Sequence, residues 1–228
     1  MLPDAINAFE EIKEFPLLQR VKLSFPRPQV TDIHSAVFQT IDALALPKAN
    51  LKNKKVAITA GSRGISDIPA ILASLVDYFH ENEAFPFIVP SMGSHGGGTA
   101  GGQLNMLAKL GITEDKINAP ILSSLETVEL GQLPNGMPVY IDKLAAESDA
   151  IVVVNRVKPH TDFIGEIESG LAKMVSIGLG KLDGADTLHR YGVHGLHDLM
   201  PQAAQFICEH APVLFGLAIV ENAYHEIA

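Results

Sequence analysis

The sequence predicts an α/β fold with a mainly parallel sheet, because short apolar runs alternate with helical patterns along the chain. Residues 150–155 form a continuous apolar run, which is typical of a central strand that is covered on both faces. Similar strand-like runs occur at residues 54–60, 85–90 and 213–220. We therefore expect a Rossmann-like domain whose sheet is flanked by helices.

Helices are predicted between the strands. Residues 67–81 place apolar side chains at helical spacing, and Pro69 falls in the first turn, where proline is tolerated. Residues 99–110 predict a second helix that ends at Gly111. A small β-hairpin is predicted around Pro134-Asn-Gly136, between two strand-like runs. Further helices are predicted at residues 143–148, 169–177 and 201–210.

The composition limits the classes of function. Apolar residues make up 47% of the 228 positions and charged residues 19%, which is typical of a globular chain rather than a disordered one. The net charge of −9 argues against nucleic acid as a partner. An anionic substrate would therefore depend on local cations. The candidates are Arg63, Arg156, Lys158, Lys173 and Arg190.

Three features concern the compartment. Cys208 is the single cysteine, so an intrachain disulfide is impossible. Residues 1–5 carry no basic segment before an apolar stretch, so no signal peptide is expected. The sequence contains no run of about 18 apolar residues, so no membrane span is expected. We expect a cytoplasmic protein without a membrane or nucleic-acid partner.

Two glycine-rich segments after predicted strands carry candidate site residues. His95 lies in Gly93-Ser-His-Gly-Gly-Gly98, where backbone freedom lets the chain approach a ligand closely. The entropic cost of so many glycines favours a binding role over a simple flexible connection. Arg63 lies in Gly61-Ser-Arg-Gly, and its planar guanidinium suits a carboxylate or phosphate. A surface pair between Arg63 and Asp67 is an equal alternative.

Three more candidates follow the predicted central strand. His160 comes after Pro159, which restricts the strand exit, and suits acid-base work, although a lone histidine is more often structural. Lys173 falls among apolar residues and is either a snorkelling lysine or an amine of lowered pKa that suits covalent chemistry. His189 could bind a metal, but one histidine does not make a metal site.

The predicted topology brings several of these residues together. In parallel α/β sheets, ligands bind beyond the carboxyl ends of the strands. Arg63, His95 and His160 each lie just after a predicted strand. We therefore expect them at one edge of the sheet.

Taken together, these residues resemble the nickel-dependent lactate racemase family over roughly residues 54–220. The strongest matches are the glycine-rich segment around His95, the Pro-His160 pair, and Ser-Gly-Leu-Ala-Lys173. His189 follows Lys173 by sixteen residues, as the family pattern implies. Residues 1–228 are then expected to be the N-terminal, cofactor-tethering and catalytic domain, with the C-terminal domain of the family absent from this chain.

The resemblance implies a role for each residue. Lys173 would form a thioamide with a nickel-pincer nucleotide derived from nicotinic acid, and His189 would be the protein ligand to nickel. His95 and His160 would be the two acid-base histidines of a 2-hydroxy-acid racemase or epimerase, and Arg63 would hold or polarise the substrate carboxylate or carbonyl. The expected partners are a small 2-hydroxy acid, the C-terminal domain and the cofactor-synthesis proteins.

Two departures from the lactate enzymes bear on the substrate. The spacing from His160 to Lys173 is three residues longer than the resemblance implies, and Ala60 stands where an aspartate is expected. A larger or dicarboxylic 2-hydroxy acid is therefore the expected substrate. The alternatives are a non-catalytic nickel or nucleotide carrier and a nicotinamide-dependent dehydrogenase, although no GxGxxG segment follows a strand.

Overall fold

The computed structural model describes residues 17–47 and 50–228. Four parallel strands form a sheet in the order β2-β1-β5-β6. The two remaining strands form an antiparallel hairpin with a bulge between Glu129 and Gly131. The strands are β1 (Lys55–Ala60), β2 (Phe85–Pro90), β3 (Thr127–Gln132), β4 (Pro138–Asp142), β5 (Ala150–Arg156) and β6 (Val213–Ile219).

Helices connect and cover the strands. They are α1 (Ile33–Asp42), α2 (Ile68–Glu81), α3 (Ala100–Lys109), α4 (Glu114–Ile117), α5 (Lys143–Ala146), α6 (Leu171–Lys173), α7 (Lys181–Arg190), α8 (Gly192–His194) and α9 (Met200–His210). The predicted α/β fold with a parallel sheet and a small hairpin is confirmed. In the described residues, no helix is long and apolar enough to span a membrane.

The sheet is buried on both faces, as the apolar run of β5 predicted. Val152 and Val154 of β5 belong to one core cluster, which also contains the apolar face of α2. Ile151 and Val153 belong to a second cluster, formed with the hairpin, α7 and α9. Successive side chains of a strand point to opposite faces, so one strand contributes to both clusters. The carboxyl ends of β1, β2 and β5 are thereby held side by side at one edge.

The segment after β5 departs from its prediction. Residues 169–177 were expected to form one helix, but α6 is a single turn that passes into a π-helical turn at Met174–Gly178. A Cβ atom on Gly178 would lie 2.7 Å from Sδ of Met174 and 2.8 Å from the carbonyl oxygen of Ser91. The close approach of the chain to the end of β2 therefore requires glycine at this position. π-Helical turns occur frequently at functional sites.

Candidate active site

One cavity of about 610 Å³ opens at the carboxyl ends of β1, β2 and β5. Its lining includes all five residues singled out from the sequence, which are Arg63, His95, His160, Lys173 and His189. The parallel topology explains part of this convergence, because Arg63, His95 and His160 follow the ends of three neighbouring strands. Lys173 and His189 arrive from α6 and α7, which pack over the same edge.

The loop that carries His95 packs closely against the start of α3. Gly96 has a φ of +70°, and a Cβ on Gly102 would lie 1.8 Å from the carbonyl oxygen of Gly96. Thr99 begins α3 by accepting the Gly102 N–H at 3.1 Å. The glycines are therefore needed to fold the loop onto the first turn of α3, which fixes where His95 lies.

His95 has a hydroxyl partner and a cationic environment. Its Nδ1 lies 2.6 Å from Oγ of Ser62. Partial burial lowers the pKa of His95, and the positive charge of Arg63 and the nearby Lys173 and His189 lower this pKa further. The imidazole therefore stays neutral to a lower pH than an ordinary histidine, which is the state that a general base needs.

Lys173 is half-buried at the end of α6, which packs against β5. The side-chain amide of Asn155, in β5, donates to the carbonyl of Gly170 at 2.7 Å and so anchors the start of α6. Burial lowers the pKa of Lys173, and the charges of Lys158 and Arg63 act in the same direction. A lysine of lowered pKa has a larger fraction of neutral, nucleophilic amine near pH 7.

His160 is held by the segment that follows it. Its ring stacks on Phe163 with centroids 4.3 Å apart. Its backbone N–H donates to the carboxylate of Glu168 at 2.8 Å, and its Nδ1 accepts the Asp162 N–H at 3.2 Å. Because Nδ1 is an acceptor, a neutral His160 ring carries its proton on Nε2. The segment between His160 and Lys173 thus supplies the contacts that orient His160.

His189 has the second hydrogen bond that is common among metal-ligating histidines. Its Nδ1 lies 2.5 Å from the carbonyl oxygen of Ala185, one turn earlier in α7. A carbonyl only accepts, so Nδ1 is the donor and Nε2 of the neutral ring keeps its lone pair. In the residues that the structure describes, no group of three or more His, Cys, Asp or Glu side chains could hold a metal ion. A metal on His189 would therefore need ligands other than a cluster of described side chains.

A family model of the lactate racemase N-terminal domain matches residues 15–196, which is more than half of the chain. The chain belongs to this lactate racemase family. All five predicted site residues lie inside the matched region of this lactate racemase domain. A search of the curated proteins found no match to the chain.

The cavity also contains residues that were not among the candidates predicted from the sequence. Ser62, Asn155 and Asp162 line it together with Lys158, which had been named only as a possible cation. Ser62 stands beside Arg63 in the sequence, and this adjacency is the signal that could have revealed it. Asn155 ends the central strand, which is the position from which ligand-binding residues are expected in such sheets.

Two of the other candidate cations, Arg156 and Arg190, form ion pairs within the protein. Arg156 lines the cavity, but its guanidinium forms an ion pair with the buried carboxylate of Glu221. Arg190 pairs with Asp186 on the exposed face of α7. The pair between Arg63 and Asp67, which was one of the sequence alternatives, is not among the ion pairs of the described chain. The guanidinium of Arg63 is therefore available to a ligand in the cavity.

Proposed function

We propose that this chain is the catalytic, cofactor-carrying part of a racemase or epimerase that acts on a 2-hydroxy acid. The observation that carries the proposal is one cavity with two histidines suited to proton exchange, a lysine of lowered pKa and a third histidine with its Nδ1 engaged. Membership of the lactate racemase family supports the same reaction class.

Lys173 is the proposed attachment point of a nickel-pincer nucleotide, and Nε2 of His189 is the proposed protein ligand to nickel. When bound, this group would supply a hydride acceptor and the other metal ligands. The residues present fit such a group, since His189 offers one lone pair and its ring is oriented by Ala185. A single protein ligand is consistent with a cofactor that would bring soft sulfur ligands of its own to nickel.

His95 and His160 are the proposed acid-base pair. Racemisation passes through a planar keto acid, so the hydrogen leaves one face of the carbon and returns to the other. One neutral histidine accepts the hydroxyl proton of one enantiomer. For His160 to do the same for the other enantiomer, the Asp162 N–H must first leave its Nδ1, because a neutral ring that accepts this hydrogen bond holds its proton on Nε2. The lowered pKa of His95 favours its neutral form near pH 7. The Asp162 and Ser62 contacts orient the two rings.

Arg63 is proposed to bind the substrate carboxylate. Its guanidinium can hold a carboxylate with two parallel hydrogen bonds. Lys158 lines the same cavity and adds positive charge near Lys173. Two cations suit a substrate with more negative charge than lactate, and Thr161, Asp162 and Ser169 of the segment after His160 form part of the cavity wall. We therefore propose a larger or dicarboxylic 2-hydroxy acid.

The proposed partners follow from the family. A C-terminal domain would cover the cavity, and cofactor-synthesis proteins would load Lys173. Ile164 is 91% exposed and Val157 is 52% exposed, and both lie in the chain segment between β5 and α6.

A chiral assay tests the proposal. Full-length protein, expressed with the cofactor-synthesis proteins, is incubated separately with each enantiomer of a panel of 2-hydroxy acids, and products are separated by chiral chromatography. We expect at least one acid to approach an equal mixture from either side, without added nicotinamide cofactor. Stoichiometric nickel with no interconversion would indicate a carrier, and a requirement for added NAD would indicate a dehydrogenase.

A further inference from the structure

A fully buried lysine lies behind the cavity. Lys181 begins α7, its side chain is 0% exposed, and it is not among the cavity-lining residues. Its Nζ lies 2.9 Å from Oδ2 of Asp142, which is also 0% exposed. Burial lowers the pKa of Lys181, and the carboxylate of Asp142 opposes this effect. A buried ion pair costs desolvation free energy and is often replaceable by apolar residues without loss of stability.

The hydrogen bonds of Lys181 lead to the His95 loop. Nζ donates to the carbonyl of Pro90, the last residue of β2, and lies 3.5 Å from Oε1 of Gln103. Gln103 is fully buried on α3, and its amide donates to the carbonyls of Gly93 at 2.9 Å and His95 at 3.4 Å. A continuous polar path therefore joins the start of α7 to the loop that carries His95.

The backbone around Lys181 is strained and is hydrogen-bonded to the His95 loop. Lys181 has a φ of +51°, in the left-handed region that a residue with a Cβ rarely adopts. The Gly93 N–H donates to the carbonyl of Gly178, three residues before Lys181. Strained backbone of this kind persists where the surrounding structure over-determines it, and it clusters at functional sites.

We infer that Lys181 is a positioning residue, which through Pro90 and Gln103 fixes the His95 loop against the helix that carries His189. The catalytic consequence rests on the proposed function. Acid-base catalysis needs its groups within hydrogen-bond reach of the reacting atoms, so a small displacement of the loop reduces turnover. A positioning role explains why Lys181, which lies outside the cavity, combines a buried charge with a left-handed backbone.

Two variants separate positioning from stability. Lys181→Met combined with Asp142→Leu removes the ion pair without leaving an unpaired buried charge. Gln103→Met keeps the ion pair and removes the donors to Gly93 and His95, so it tests the same path if the double variant fails to fold. Lys143→Met is the matched control, because Lys143 is an exposed lysine that pairs with Glu126.

The first readout is local and needs no cofactor. We expect faster hydrogen exchange at the amides of Gly93 and His95, and shifted ring resonances of His95, in the Gln103→Met variant and in the folded double variant. The amides of β5 should keep their protection. A purely structural role of Lys181 would instead speed exchange in the His95 loop and in β5 together. Unchanged exchange and ring resonances in Gln103→Met, with wild-type behaviour of any folded double variant, would overturn the inference.

The second readout is kinetic. In the loaded enzyme we expect kcat to fall about 10- to 100-fold while KM changes little, because the substrate contacts of Arg63 remain. A rise in KM with an unchanged kcat would contradict the positioning of His95 by Lys181. If the parent protein shows no turnover but the His95 loop loosens in Gln103→Met, the proposed function fails and the positioning role stands.

Discussion

Oγ of Ser62 lies 2.6 Å from Nδ1 of His95, at the point where the loops after β1 and β2 meet. When Nε2 of His95 is the base, the neutral ring carries its proton on Nδ1 and donates it to the Ser62 hydroxyl, and the imidazolium makes the same hydrogen bond. A carboxylate partner would instead favour the imidazolium form. Ser62 therefore suits a histidine that acts as base with one enantiomer and as acid with the other.

Removing this hydroxyl should slow the reaction without unfolding the protein. We predict that Ser62→Ala lowers kcat about tenfold, which corresponds to about 1.4 kcal/mol for one lost hydrogen bond. Ser62→Thr retains the hydroxyl and should restore most of the rate. The measurement is kcat in both directions by chiral chromatography. Equal loss in the alanine and threonine variants would show that packing, rather than the hydroxyl, matters at this position.

The charge of Arg63 should appear in the pH dependence. Burial and nearby positive charges lower the pKa of His95 below the usual histidine value of 6.5. In the reaction direction in which His95 is the base, the acid limb of the kcat/KM profile should therefore lie below pH 6.5. Arg63→Met removes one of these charges, so the limb should move to higher pH even where the rate falls. Arg190→Met, at an exposed pair, should leave the limb in place.

The amine of Lys173 should be unusually reactive in the cofactor-free protein. Its lowered pKa leaves more neutral amine near pH 7.5 than an exposed lysine has. We predict that a limiting amount of an amine-acylating reagent modifies Lys173 before Lys109, which is exposed on α3. Peptide mass spectrometry at pH 7.5 and at pH 10.5 measures the preference, which should shrink at the higher pH. Slower modification of Lys173 at both pH values would contradict the predicted reactivity.

Two neighbouring glycines of α3 should respond in opposite ways to alanine. A Cβ on Gly102 would collide with the Gly96 carbonyl at 1.8 Å, whereas a Cβ on Gly101 meets nothing within 4 Å. We predict that Gly102→Ala lowers the free energy of unfolding by about 2 kcal/mol and Tm by about 4–8 °C. Gly101→Ala should be neutral or stabilising by up to about 1 kcal/mol. Thermal unfolding followed by circular dichroism compares them, and equal Tm values would contradict the packing of the His95 loop.

The sequence predicted those parts that depend on local pattern. The apolar runs at residues 54–60, 85–90, 150–155 and 213–220 became the four strands of the sheet. In β1, β2 and β5 the continuous apolar residues are buried, as strands covered on both faces require, whereas the edge strand β6 is more exposed. The five candidate residues could be selected because each stands beside a glycine-rich or strand-end segment, or because the family pattern implied it. Their chemical roles stay predictions.

Other features depend on contacts between distant parts of the chain. The π-helical turn after Lys173 follows from the approach of Gly178 to Ser91, which no local pattern reports. Lys181 is buried because Asp142 and Gln103 come from other elements to meet it. A lysine at a helix start ordinarily indicates exposure, so tertiary packing alone decides its role.

We propose that Lys173 carries a nickel cofactor. Protein expressed with the cofactor-synthesis proteins should show an added mass confined to the peptide that contains Lys173, together with about one nickel per chain. Lys173→Arg should abolish the adduct, and Lys109→Arg should leave it unchanged. His189→Ala should keep the adduct and lose nickel. An unmodified Lys173 peptide in protein made under these conditions, or an adduct on another lysine, would contradict the account.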